Sequence, residues 1–212
     1  QLNMQMGINK YSAYDVVNNL EKKNLASIIK FLGEEKDGKI IANKIIKYRT
    51  KKPIKTPAEL TYIINEAKNN YNNYKKNPAT KTFQAIRIFV NKELTELILG
   101  LIAATQLLSD GGMLVVLSFH SLEDKIVKNF FSSYSNLSKN PSRYLPLDKN
   151  RSDLFKLLSK KPLTPNKIEI CQNNRSRSAK LRYVIRNSNS FFNPEEFKKK
   201  FENYFKLEEI RL

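Results

Sequence analysis

The stretch SFHSLEDKIVK, residues 118 to 128, concentrates side chains that could do chemistry at neutral pH. Ser118, Ser121, Glu123 and Asp124 surround His120, the only histidine in the chain. An imidazole changes charge near neutrality and can orient a substrate through either ring nitrogen. The stretch also sits at a junction. The apolar run MLVVLSF (113 to 119) precedes it, and Leu122, Ile126, Val127, Phe130 and Phe131 recur after it at helical spacing. A strand followed by a helix places His120 at a strand's carboxyl end, where open α/β sheets bind ligands, beside a helix N-terminus that attracts anions. A structural reading competes. In it Ser121 caps the helix with Asp124 as the capping-box partner, His120 merely precedes the cap, and the two acids complement the helix dipole. The residues alone leave both readings open.

Two further stretches could bind phosphate. NNRSRSAKLR (173 to 182) carries Arg175, Arg177, Lys180 and Arg182, and guanidinium groups can fork onto phosphate oxygens; the alternative is a solvated basic entry to a strand. NPATKTFQAIRIFVNKEL (77 to 94) offers Lys81, Arg87 and Lys92, although the spacing of Phe83, Ile86 and Val90 is first a core signal. No glycine-rich nucleotide loop, nucleophile set with a Ser/His/Asp pattern or His/Cys metal cluster is visible.

The elements that must position these residues are punctuated clearly. Ser12 with Asp15, and Thr56-Pro57 with Glu59, read as capping boxes. They precede Val16, Val17, Leu20, Leu25, Ile28, Ile29 and Leu32 in the first case, with Gly33 as the stop, and Leu60, Ile63, Ile64 and Ala67 in the second. Ile40, Ile41, Ile45 and Ile46 supply a third apolar face, so residues 12 to 70 read as a small helical unit. The Asn/Lys/Tyr stretch after it reads as a loop. From Thr80 one long helix is expected to run to Leu108 and to end at SDGG. MLVVLSF is apolar without alternation, as for a strand covered on both faces in a parallel sheet. Residues 132 to 153 are polar and loop-rich. Strands are expected around 155 to 161 and 178 to 186. Asn193 and Pro194 then open a tail helix striped with Phe197, Phe201 and Phe205. The pattern is an α/β layer with a helical unit attached.

Composition narrows the class. With 38 Lys and Arg against 20 Asp and Glu, the net charge of +18 favours a polyanionic partner such as RNA, DNA or an acidic membrane surface, nucleic acid first, although A/T-rich coding alone produces this kind of Lys-, Asn-, Ile- and Tyr-rich bias. A single cysteine, Cys171, forms no intrachain disulfide and suits a reducing, cytoplasmic setting. LILGLIAATQLL (97 to 108) is too short to span a membrane. The first residue is Gln1 rather than Met, which suggests that an upstream portion is absent.

Four stretches together carry a resemblance: LNMQM (2 to 6), NPATKTFQAIRIFVNKEL, GGMLVVLSFHSLEDKIVK (111 to 128) and NRSRSAKLR (174 to 182). In order and spacing they resemble the RsmH/MraW family, which methylates N4 of a cytidine in bacterial 16S rRNA using S-adenosylmethionine. The resemblance implies the C-terminal part of the sheet of a class I (Rossmann-like) methyltransferase, with an inserted all-helical domain that helps recognise RNA. It implies an end of a cofactor-side segment plus insertion over 1–76, methyltransferase sheet over 77–188, and a helical tail over 189–212 outside the family pattern. The family's cofactor-binding motifs would precede Gln1, so this chain alone is expected neither to bind S-adenosylmethionine nor to be active. His120 and Ser118 would line the cytosine pocket. Lys81, Arg87, Arg175, Arg177, Lys180 and Arg182 would face 16S rRNA in the small ribosomal subunit, with no membrane partner. Asn3 and Gln5 stand where the family usually has Asp and Arg, and Asp37-Gly38 also departs from its pattern. The rival is a non-catalytic RNA-binding or ribosome-assembly module.

Overall fold

A computed structural model of the chain describes residues 1–7, 9–68, 77–135, 153–192 and 194–212. The expected linker at 69–76, most of the loop-rich stretch (136–152) and the Asn193 cap lie outside the described residues. The chain divides into two compact units, Gln1–Thr95 with Phe201–Leu212, and Glu96–Lys200.

The first unit is helical: α1 (Ala13–Asn19), α2 (Lys22–Leu32), α3 (Gly38–Arg49), α4 (Pro57–Ala67) and α5 (Thr80–Asn91), with α6 (Glu93–Leu107) starting at its boundary. Both expected capping boxes form, Ser12 with Asp15 and Thr56 with Glu59. Leu25, Ile28, Ile29 and Leu32 of α2 are buried together with Ile41 and Ile45 of α3 and Leu60, Ile63 and Ile64 of α4, whereas Ile40 is exposed. Gly33 is needed for close approach rather than for a turn. A Cβ there would lie 2.5 Å from the Lys81 carbonyl and 2.6 Å from that of Ile29. The segment before α1 is strapped to the unit. Leu2 is buried, Ala13 N–H donates to the Asn3 carbonyl at 2.7 Å, and the Asn91 side chain donates to the Met4 carbonyl at 2.9 Å.

One expectation fails here. The long helix from Thr80 is two helices, because Lys92 takes the left-handed conformation (φ 50°) and ends α5. Apolar periodicity continues across the break, so the pattern alone does not reveal it. The carboxylate of Glu208, from α10 (Glu202–Glu208), accepts from the Leu94 and Thr95 N–H groups at 3.1 and 2.9 Å. These are donors that the first turn of α6 leaves without helical partners.

The second unit holds a three-stranded sheet ordered β1-β3-β2, with β1 (Met113–Ser118), β2 (Phe155–Lys156) and β3 (Lys180–Arg186). Both pairings are antiparallel, so β1 and β2 run the same way on either side of β3. The β2 strand is much shorter than the expected 155 to 161. Helix α7 (Ser121–Ser133) packs on one face through Leu122, Ile126, Val127 and Phe130. Phe130 makes edge contacts with Tyr134 at 5.2 Å and with Phe197 of α9 (Glu195–Lys200) at 5.0 Å. The opposite face corrects the reading of β1. Met113, Val115 and Leu117 are about half exposed (53, 50 and 52%), so the strand is not covered on both faces as a buried parallel strand would be. The expected single tail helix is also two, α9 and α10, divided at Phe201. Among the described residues no helix is long and apolar enough to cross a membrane.

Candidate active site

His120 itself is the N-cap of α7, one residue earlier than expected, and its box partner is Glu123 rather than Asp124. The Nδ1 atom accepts from the Glu123 N–H at 3.3 Å, and Nε2 lies 3.2 Å from Glu123 Oε1. Both ring nitrogens therefore face Glu123, one toward its amide and the other near its carboxylate. The other Glu123 oxygen accepts from the Phe119 and His120 amides at 2.8 and 3.2 Å. Burial pushes the Glu123 carboxyl up, but the imidazole and the two amides outweigh it and leave its pKa below the ordinary value. His120 is thus held at the carboxyl end of β1 with its side chain only 7% exposed. This geometry suits a fixed, orienting ring better than a mobile base.

Ser118 is buried, and its hydroxyl donates to the Lys180 carbonyl at 3.2 Å, across the pair that joins the ends of β1 and β3. Asp124, freed from the expected cap, takes a different task. One oxygen accepts from Arg182 Nε at 2.7 Å and the other from Lys180 Nζ at 3.0 Å. Burial raises the Asp124 pKa and the two cations lower it, with the cations prevailing. Arg182 also donates to the Lys160 carbonyl at 3.0 Å. A single carboxylate therefore ties the start of α7 to β3 and to the segment before it. Arg182, one of the cations expected to face RNA, is buried and bonded to Asp124 and the Lys160 carbonyl. The signal that could have exposed this is its place on an apolar strand, where a charge persists only when paired.

The other phosphate candidates divide in the same way. In the first unit, Lys81 donates to the Glu34 carbonyl at 2.8 Å. Arg87 forks onto Glu93 with 2.7 and 2.8 Å bonds. Both cations hold local structure while staying accessible, Lys81 being exposed and the Arg87 side chain 39% exposed. In the second unit, Arg175 and Arg177 are exposed on a 3-10 turn (Asn174–Ser178), and Arg177 donates to the Asn174 carbonyl of its own turn at 3.1 Å. Lys180 keeps 39% of its side chain exposed.

The stretches that carry this turn and its partners, residues 111–128 and 174–182, both lie within the match to a known family. The model of the MraW methylase family matches residues 1–187. This chain belongs to the MraW methylase family. Among curated relatives it is similar to "Ribosomal RNA small subunit methyltransferase H" of Hyphomonas neptunium, 44% identical over 186 residues, which cover 87% of this chain and 54% of the relative. The protein of the same description in Oenococcus oeni is 49% identical over 176 residues, 82% of this chain and 56% of the relative. That of Caulobacter sp. is 41% identical over 186 residues, 87% and 58%. The chain thus spans a little over half the length of these relatives. The MraW match ends before α9, so the tail from residue 188 stands outside it.

Proposed function

We propose that this chain forms the RNA-facing part of a small-subunit rRNA methyltransferase that modifies N4 of a cytidine in 16S rRNA, with S-adenosylmethionine as the methyl donor. The observation that carries this reading is the family match over 1–187. The fold supports it, because Asp124 and Arg182 join the two most distinctive stretches of the chain at the carboxyl end of β1.

The chemistry asks for placement more than for acids and bases. The exocyclic amine of cytosine is a poor nucleophile, since its lone pair is delocalised into the ring, so catalysis rests on orientation. A base inside structured RNA has to leave its stack and be gripped along its edge. His120 is the residue best suited to that grip. Its ring is fixed by Glu123, and it sits where a crevice would form beyond the strand end. Ser118, buried at the end of the same strand, acts on the pocket by fixing the β1–β3 ends. Arg175 and Arg177 contact RNA phosphates. Lys81, Arg87, Lys180 and Arg182 act chiefly by shaping the protein that RNA meets.

The described residues do not fit S-adenosylmethionine by themselves. No glycine follows β1 before α7, and the two glycines with positive φ, Gly7 and Gly111, have open space around them rather than a cradle. The donor would be held by the portion of the protein that the relatives have beyond the matched region. The test is methyl transfer from tritiated S-adenosylmethionine to small-subunit particles. It uses this chain alone and this chain joined to the part of the Oenococcus oeni relative that its alignment leaves uncovered. Label in N4-methylcytidine with the joined protein is expected. RNA binding without any incorporation would replace this reading with the non-catalytic one.

A further inference from the structure

The segment between β2 and β3 is folded but scarcely buried. It contains the Leu163 bridge to Leu181, α8 (Lys167–Gln172) and the 3-10 turn Asn174–Ser178. Ser176 is its one buried residue between 158 and 178. Helix α8 has no buried residue, and Ile168 on it is 69% exposed. With so little apolar area withdrawn from water, the segment owes its shape to hydrogen bonds. Leu163 and Leu181 exchange two backbone bonds of 2.9 Å, Asn166 caps α8 through the Glu169 N–H at 2.8 Å, and Arg182 holds the Lys160 carbonyl at 3.0 Å. Lys160, Lys161, Lys167, Arg175 and Arg177 are all exposed on it, against the single acid Glu169.

Resting on the rRNA reading above, we propose that residues 158–178 are an RNA-docking arm, in which Lys160, Lys161 and Lys167 join Arg175 and Arg177 in gripping the phosphates that flank the target base. Two observations choose RNA over other polyanions. The charge is nearly all of one sign and is borne on a hydrogen-bonded, water-exposed scaffold, as a phosphate backbone requires. The arm is also geared to the candidate site. It leads into β3 at Lys180, which pairs with Ser118, and its start is held by Arg182, whose other partner is Asp124 of the capped turn. A strand lying on the arm is therefore registered against the place where its base would enter. An anionic membrane surface fits less well, because α8 has only six residues and lies far below the length of an interfacial amphipathic helix.

The test measures binding of this chain to a fluorescein-labelled single-stranded fragment of small-subunit rRNA across a range of salt concentrations. The variant Lys160→Ala/Lys161→Ala/Lys167→Ala is compared with an equal-charge control, Lys22→Ala/Lys23→Ala/Lys206→Ala, and with the triple Lys→Arg variant. Each phosphate contact removed lowers the log–log salt slope by about 0.7, so the arm variant is expected to lose roughly 2 from its slope. The control is expected to lose little, and the Lys→Arg variant to restore the slope. Equal losses in the arm and control variants would reduce the effect to net charge and overturn the proposal. So would an unchanged slope in the arm variant, and so would arm-dependent binding to phosphatidylglycerol vesicles in place of RNA. Arm-dependent RNA binding beside absent methyl transfer by the joined protein would refute the enzymatic reading alone, and the reverse pattern would refute the arm alone.

Discussion

Replacing His120 separates its two possible tasks. The ring is the N-cap of α7, and removal of a good cap costs about 1 kcal/mol. Its 3.3 Å bond to the Glu123 N–H is long, which argues against a larger value. The side chain is also 93% shielded if its 7% exposure is taken as the remainder, so His120→Ala additionally loses some packing, and a total of about 1.5 kcal/mol is expected. For a chain of this size that is a fall of about 4 °C in Tm. Asparagine is among the best N-caps and its side-chain oxygen can accept from the same N–H, so His120→Asn is expected to stay within about 0.5 kcal/mol of the parent. The pair is read by thermal unfolding followed by circular dichroism, and by single-turnover methyl transfer in the joined protein. If the imidazole orients the cytosine, His120→Asn keeps its Tm and loses turnover at least tenfold, a transition-state loss of about 1.4 kcal/mol or more. Full turnover in a stable His120→Asn variant would refute the orienting role and leave the cap alone. An unchanged Tm in His120→Ala would refute the capping argument itself.

Asp124→Ala leaves the buried Arg182 guanidinium without its carboxylate and is expected to destabilise the second unit by about 3 kcal/mol, checked by urea unfolding. Because the Asp124 pKa is lowered in the fold, its contribution is present above the unfolded carboxylate value and is lost as pH falls through the lower folded one. Asp124→Asn should therefore flatten the acid limb of the stability profile. Glu208 behaves oppositely. Burial outweighs the bonds from Thr95 and Leu94 and raises its pKa to about 7, so its contribution is full below the unfolded value near 4.5 and is lost as pH rises through about 7. In Glu208→Gln the Tm difference between pH 5 and pH 8 should shrink. Gly33→Ala forces a Cβ against the Lys81 and Ile29 carbonyls at 2.5 and 2.6 Å and is expected to cost about 2 kcal/mol by overpacking, measured by thermal unfolding.

What the sequence determined by itself is what short-range physics decides. Capping boxes at Ser12 and Thr56 join residues three apart and were legible as spelled. So were the helical faces of α2, α4 and α7, whose apolar residues repeat with the turn of the helix. The order of helix, strand and helix around His120 was legible too, as were the residues that mark the family. At the start of α7 the local signal was ambiguous, since Ser121-Asp124 and His120-Glu123 spell overlapping boxes, and packing chose the second. That choice released Asp124 for Arg182, a partner 58 positions away. No window of sequence contains such a pair, because it exists only once β3 is laid beside β1 and α7 has docked on the sheet. The break at Lys92 was hidden for the same reason. A left-handed residue costs local energy, and only the surrounding tertiary contacts, including a carboxylate from position 208 on the next helix's first turn, make the break worth keeping. Which cations stay exposed was likewise decided in three dimensions. Arg182 and Arg175 are the same residue type a few positions apart, but one is buried on a strand against a carboxylate and the other stands in water on an exposed turn.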